Sequence, residues 1–525
     1  MLSGQVLHCY LLLHGRLSSH VITVAEAKRL AILGAIPEKW QIRERILPAV
    51  ELPDITGNYI QGFLIPNEIE IMKADAVPIT KQTASGNWSA VEVTEAFCHR
   101  AAIAHQHVNC LHEVFFEDAM QVAKELDAYL SATGKPMGPL HGGIETTMGY
   151  VGWVGTFEDK KDDLRAKVIE GKLVRELRRA GATVFCKTSV PLTLMAGETA
   201  NNIIGYTWNP KTRRLSSRGS PGGEGARIAL RGSPAGIRVP AAFNGIFGLH
   251  LSAGRMPYEG AANSIDGQNT ILSVVGPMRT SIGSLKLLFK AILSQEPWFH
   301  DPLVLVMPWS DDIEMQTQRL IKASVKDPSL LTFAIMRHDS VVQPHSPDKA
   351  YNIDGGDGLT GQIALSGEGT IPQCFIQTDK HWKARDIAAL NVQKRLYQKM
   401  YMEYWNKNDR LTGTGRPVDA IICPVAPHAA VIPRRYRHVG YTSFVNVLDY
   451  TSAVIPVTNA GKAMCRIDTH MNYLSETHEQ VQSEYDAEIY HGAPVGIQLI
   501  GRRLEEEMIL TLAEFISREL ENVLK

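Results

Sequence analysis

The segment Ser216 to His250, SSRGSPGGEGARIALRGSPAGIRVPAAFNGIFGLH, constrains this chain more than any other. Three common readings of a Gly-rich stretch do not fit it. There is no G-K-[ST] and no G-x-G-x-x-G, so it does not read as a phosphate cradle. Arg218 occupies the position two before Ser220, so it is not a G-x-S-x-G nucleophile elbow. The 18 histidines are scattered without H-E-x-x-H or paired ligand spacing, which argues against a catalytic metal. A Ser-His-Asp triad assembled from distant residues stays open, although nothing in the pattern points to one.

The 525 residues, 44% of them hydrophobic, can bury a large core, and length alone suggests roughly two to four domains. A net charge of -1 gives no electrostatic footprint for nucleic acid or an anionic membrane surface. The seven cysteines are odd in number, widely spaced and free of C-x-x-C, as expected for reduced thiols in a cytoplasmic protein. No apolar run is long enough for a membrane span. At the N-terminus the apolar run Cys9 to Leu13 is bounded by His8 and His14 with no basic stretch before it. Residues 1–22 are therefore expected to be a disordered or mispredicted start, not a signal peptide.

Helix and strand signals alternate, as an α/β architecture requires. Ser89 and Glu92 form a capping box, and Ala90, Val93, Phe97 and Ala101 make one apolar stripe behind it. Further helices are expected over Asp118 to Leu130 and over Asp162 to Ala180, the latter ending at Gly181. Strands are expected at Ala182 to Lys187, Val418 to Cys423 and Val495 to Ile500. A C-terminal helix should place Leu504, Met508, Leu512, Ile516 and Leu520 on one face.

Ordered stretches along most of the chain carry a family resemblance. They include AEAKRLAILGAIPEKW from Ala25, GKPMGPLHG from Gly134, ETTMGYVGWVG from Glu145 and LMAGETANN from Leu194. PVDAIICPVAPHAAVIP from Pro417 and EIYHGAPVGIQLIGRRLEEE from Glu488 follow in the same order. With the Gly-rich segment they resemble the amidase-signature family, in its fungal acetamidase-like branch. The resemblance implies an α/β fold: a single amidase-signature domain over residues 23–525, with a large mixed β-sheet flanked by helices on both faces. It further implies hydrolysis of a small monocarboxylic acid amide to carboxylate and ammonia, no cofactor, no nucleic-acid partner, and a homodimer as the assembly.

The family pattern G-G-S-S-G-G-E-G-A is met here by Gly219, Ser220, Gly222, Gly223, Glu224, Gly225 and Ala226. By resemblance Ser220 is the bridging serine of a Ser-cisSer-Lys triad, on a cis Gly219–Ser220 peptide. Met195, Gly197 and Gly219 are candidate substrate-binding positions; for Met195 and Gly197 the alternative is a packed strand-to-loop corner. Pro221 replaces the pattern's second serine, removing an N–H and restricting Ser220.

Two chemical groups of the pattern are absent. Between Gly236 and Arg238 roughly eight residues are missing, which would hold the nucleophilic serine and the oxyanion N–H groups. Between Gly142 and Glu145 roughly a dozen are missing, including the base lysine that the serine needs. Lys135, Lys160 and Lys161 do not match its motif and read as solvated lysines. A third gap, after His345 (near 346), amounts to roughly two dozen residues, enough for several helical turns. The chain is therefore expected to be catalytically impaired. The alternatives are a non-catalytic binding or scaffold protein, or a translation product from which coding sequence was removed as intron. With its neighbours missing, the cis peptide at Gly219–Ser220 is expected to be lost.

Overall fold

The computed structural model describes residues 19–143, 170–192, 194, 196–230, 237–261, 267–337, 360, 382–463 and 473–524. Among the described residues twelve strands run in chain order: β1 Leu111–Val114, β2 Cys186–Thr188, β3 Ala200–Asn201, β4 Gly205–Tyr206, β5 Trp208–Asn209 and β6 Thr212–Ser216, then β7 Phe247–His250, β8 Met278–Arg279, β9 Phe333–Ile335, β10 Ala420–Pro424, β11 Ser452–Asn459 and β12 Pro494–Ile500. Six of them form one sheet in the order β8-β7-β11-β12-β10-β9. It is mixed: β9 and β10 are parallel, and the other neighbours are antiparallel. The remaining strands pair as β1-β2, β3-β4 and β5-β6.

Helices cover both faces of the sheet because its central strands are apolar on both sides. On β11, Ala453 and Ile455 share a buried cluster with Leu285, Phe289, Ile509, Leu512 and Ala513. Val454, between them, packs on the other face with Val239, Ala242 and Phe243. This is the period of two expected along a strand. The first face is covered by the helices Ile282–Leu293 and Glu506–Leu524, the second by Arg238–Asn244.

Most expected elements are present. Ser89 caps the helix Ala90–Val108 with Glu92 at its third position, and Ala90, Val93, Phe97 and Ala101 are all buried. The second helix is Phe116–Thr133. The C-terminal helix starts at Glu506, so Leu504 lies outside it with φ of 65°, in a turn where Arg502 N–H donates to Glu505 at 2.7 Å. The helix before Gly181 is described over Lys172–Arg179, and residues 162–169 lie outside the described residues. The strand expected over Ala182 to Lys187 forms as Cys186–Thr188, with an isolated bridge residue at Thr183 before it. Ala182 is still closing the preceding helix: its N–H donates to Leu177 O at 3.0 Å, and Gly181 has φ of 90°. Of the expected N-terminal tail, residues 19–22 belong to the helix Ser19–Gly34, and residues 1–18 lie outside the described residues.

Two polar anchors fix the helices that cover the sheet. Arg255 is fully buried and uses all three of its nitrogens. Nε meets Glu506 at 3.0 Å, Nη2 meets Glu507 at 2.7 Å and Nη1 donates to Met307 O at 2.6 Å. Asp75, ahead of the helix Ala76–Ala84, accepts from the hydroxyls of Thr280 at 2.9 Å, Ser284 at 2.6 Å and Ser281. Burial pushes its pKa up, but these hydroxyls and the Ala76 N–H outweigh it and hold the carboxyl below its ordinary value.

Two predictions follow from these anchors. Arg255→Ala leaves two buried carboxylates uncompensated and is expected to destabilise the fold by about 3–5 kcal/mol, read by urea unfolding. Asp75 has a lowered folded pKa, so its stabilisation is complete above the unfolded value of about 4 and is lost as pH falls below it. Asp75→Asn should therefore flatten the acid limb of a Tm-against-pH curve; an unchanged limb would exclude this role.

Candidate active site

The site is built around the turn joining β6 to the helix Gly222–Ala229. Glycine is required there by close backbone approach. A Cβ on Gly223 would lie 2.5 Å from both Cys110 O and Ser189 N, and one on Gly225 would lie 2.6 Å from Asn244 Nδ2. The turn is held from three sides. Thr199 Oγ1 donates to Arg218 O at 2.8 Å and accepts from Gly222 N at 2.8 Å. Ser217 Oγ donates to Gly222 O at 2.6 Å. Asn244 Nδ2 donates to Ser217 O at 3.0 Å and Pro240 O at 2.8 Å.

These bonds also explain why the Gly-rich segment is no phosphate cradle. The N–H groups of Gly222 and Gly223, which would face an anion at a helix start, donate to Thr199 and to Ser189 O.

Ser220 lies in this turn with a buried Oγ that has no hydrogen-bond partner among the described residues. The expectation that the cis peptide is lost was wrong: Gly219–Ser220 is cis, and so is Ser220–Pro221. Gly219 is enclosed, since a Cβ there would meet Pro191 Cγ at 2.8 Å and Thr199 Oγ1 at 3.0 Å. Gly197 is covered by Tyr436, whose Cδ1 would lie 2.0 Å from a Cβ. Met195, Lys160 and Lys161 lie outside the described residues, as does the third gap region after His345. Lys135 is exposed.

Beside the turn the structure gathers side chains that the sequence reading did not select. Arg218 is 5% exposed, with φ of 62°. Its Nε donates to Gly197 O at 3.1 Å, and its guanidinium carbon stands 3.8 Å from the Tyr436 ring centre and 5.8 Å from that of Phe243. His428 contacts the same two rings edge-on, at 5.7 Å from Phe243 and 6.1 Å from Tyr436. Burial and the Arg218 charge push its pKa down to about 3, so it is neutral. Glu198 is buried, accepting from Tyr206 Oη at 2.5 Å, Arg434 N at 2.9 Å and Tyr436 N at 3.4 Å; burial raises its pKa. The one sequence signal for Arg218 was its place beside the motif, where the family pattern has glycine.

Comparison with known proteins agrees with this architecture. The Amidase family model matches residues 92–352 and 376–510. An acetamidase of Aspergillus oryzae is 39% identical over 556 residues, covering 95% of this chain and 98% of that protein. An acetamidase of Emericella nidulans is 38% identical over 557 residues, with the same coverage. Among solved structures, a fatty acid amide hydrolase superposes with a TM-score of 0.83 at 28% identity, covering 98% of this chain and 99% of that one. The chain belongs to the amidase family.

The close approach at Gly223 makes a further prediction. Gly223→Ala places a methyl against backbone on both sides and is expected to destabilise by about 1–3 kcal/mol or more. Gly34→Ala, at a helix end with an ordinary φ and no atom within 4 Å of its Cβ, is the control for adding a methyl without close contact. Equal losses in the two variants, measured by chemical denaturation, would rule out the steric account.

Proposed function

We infer that the site is built for a small monocarboxylic acid amide, in the reaction yielding carboxylate and ammonia, and that this polypeptide lacks the groups to turn it over. Family membership and the acetamidase relatives support the first half. The second half is carried by one observation: Ser220 Oγ is buried without a hydrogen-bond partner. A serine hydroxyl is a weak nucleophile until a base takes its proton. Losing a general base removes about 10²–10⁴ in rate, and losing an oxyanion donor removes about 10²–10³ more.

A second reading, that the native product is longer and active, is favoured by the alignment lengths. An alignment of 556 positions that uses 95% of 525 residues, about 499, leaves about 57 positions of the relative without a counterpart here. Three internal gaps, near residues 143, 237 and 346, would account for most of them. A cytoplasmic location and a homodimer belong to both readings. Among the described residues no helix is long and apolar enough to cross a membrane.

Acetamide, benzamide and a nitroanilide offered to the purified 525-residue chain should give no turnover that an active-site titrant can count. Titratable turnover of any of the three would overturn the inactivity. Sequencing the mature transcript across the codons for Gly142 to Glu145 and Gly236 to Arg238 decides between the readings. Lysine- and serine-bearing segments found there assign the activity to a longer native product; continuous codons assign the chain to a non-catalytic role.

A further inference from the structure

Two buried arginines of this protein are treated differently. Arg255 has an acceptor for each of its nitrogens. Arg218 uses Nε on Gly197 O, while its Nη1 is shielded from water with no acceptor. No carboxylate among the described residues forms an ion pair with it. Glu198 acts on it through space, but its carboxylate is engaged by Tyr206, Arg434 N and Tyr436 N. The Tyr436 face offsets part of the charge without accepting the Nη1 proton. A buried donor left unmade is costly, and more so on a charged group.

His428 repeats the pattern from a distant part of the chain. It flanks the same Tyr436 and Phe243 rings, and both its ring nitrogens are shielded and unpartnered. A neutral imidazole carries one N–H to donate. Arg218 also adopts a left-handed backbone conformation, which is uncommon for a residue with a long side chain and recurs at ligand-binding positions. Two unused donors, one of them cationic, beside two aromatic faces are the complement of a planar anion with two acceptor oxygens.

We propose that Arg218 Nη1 and His428 together form a binding site for a small carboxylate. The carboxylate comes either from the product acid or from a second carboxyl on the bound amide, the latter widening the monocarboxylic class inferred above. Its source rests on the amide reading above, whereas the anion site itself does not.

The test titrates acetate, benzoate and succinamate into the full chain by calorimetry, with acetamide as the neutral probe. At least one carboxylate should bind with 1:1 stoichiometry, and Arg218→Met should weaken it about tenfold or more, as for a charge-assisted hydrogen bond. Acetamide affinity should change less than about twofold in that variant, because it carries no charge for the guanidinium to meet. Succinamate binding more tightly than acetate and benzoate assigns the anion to a second carboxyl; the reverse order assigns it to the product acid. The proposal is overturned if no carboxylate binds, or if Arg218→Met binds as the parent does. Should Arg218→Met not fold, the His428 ring ¹⁵N shifts of the parent protein decide the matter: movement on titration supports the site, and fixed shifts overturn it. Carboxylate binding without acetamide binding retains the anion site and strikes out the amide reading.

Discussion

The contact on which the site depends is the approach of the Gly222–Ala229 helix to the backbone at Cys110 and Ser189. Cys110 directly precedes β1 and Ser189 directly follows β2, so the helix start is seated against the junction of a paired hairpin-like unit. Ser189 N donates to Cys110 O at 2.8 Å and Gly223 N donates to Ser189 O at 3.1 Å, which ties all three segments together. A side chain at Gly223 would break that seating, because both opposing atoms belong to backbone and cannot rotate away. With the helix start fixed, the preceding turn has little freedom. Thr199, Ser217 and Asn244 then hold Arg218 to Gly222 in one conformation.

Charge burial separates structural groups from candidate ligand groups. The interior tolerates an ion when its hydrogen-bonding capacity is met. Arg255 meets that condition at the start of the C-terminal helix, with Glu506 also accepting from Ser252 N and Thr451 Oγ1 at 2.8 Å each. It therefore links the sheet, the Glu506–Leu524 helix and the segment around Met307. Arg218 does not meet it, although it is comparably buried. The same distinction applies to histidine: His99 is stacked on Trp40 and bonded to Glu68 at 3.0 Å, whereas His428 has no partner for either nitrogen.

Local physics made much of the fold legible. The Ser89 capping box, the apolar stripe behind it and the apolar runs of β10 and β12 are signals between near neighbours in sequence. The motif order likewise identified the family and the two-faced sheet. The misreadings have local causes too: Ala182 is apolar because it is buried, but it completes a helix exit, and Leu504 keeps the helical period while lying one turn too early. The cluster around Tyr436 was not legible, because Glu198, Arg218, Phe243, His428 and Tyr436 come from segments up to 238 residues apart. Pro427-His428 carries no motif spacing, and only folding places that imidazole beside the Gly-rich turn.

The turn that carries Ser220 is held by side chains other than Ser220 itself. The turn is secured by Thr199, Ser217 and Asn244, each bonded to backbone. None of these bonds uses the Ser220 hydroxyl. A shell of this kind keeps its shape as long as the elements on either side pack. Here they do: Asn244 ends the Arg238–Asn244 helix, whose Val239, Ala242 and Phe243 are buried with Val454 of the central sheet. The position of Ser217 is therefore referred to the sheet through Asn244. The turn is thus anchored to the sheet through bonds that do not involve the Ser220 hydroxyl.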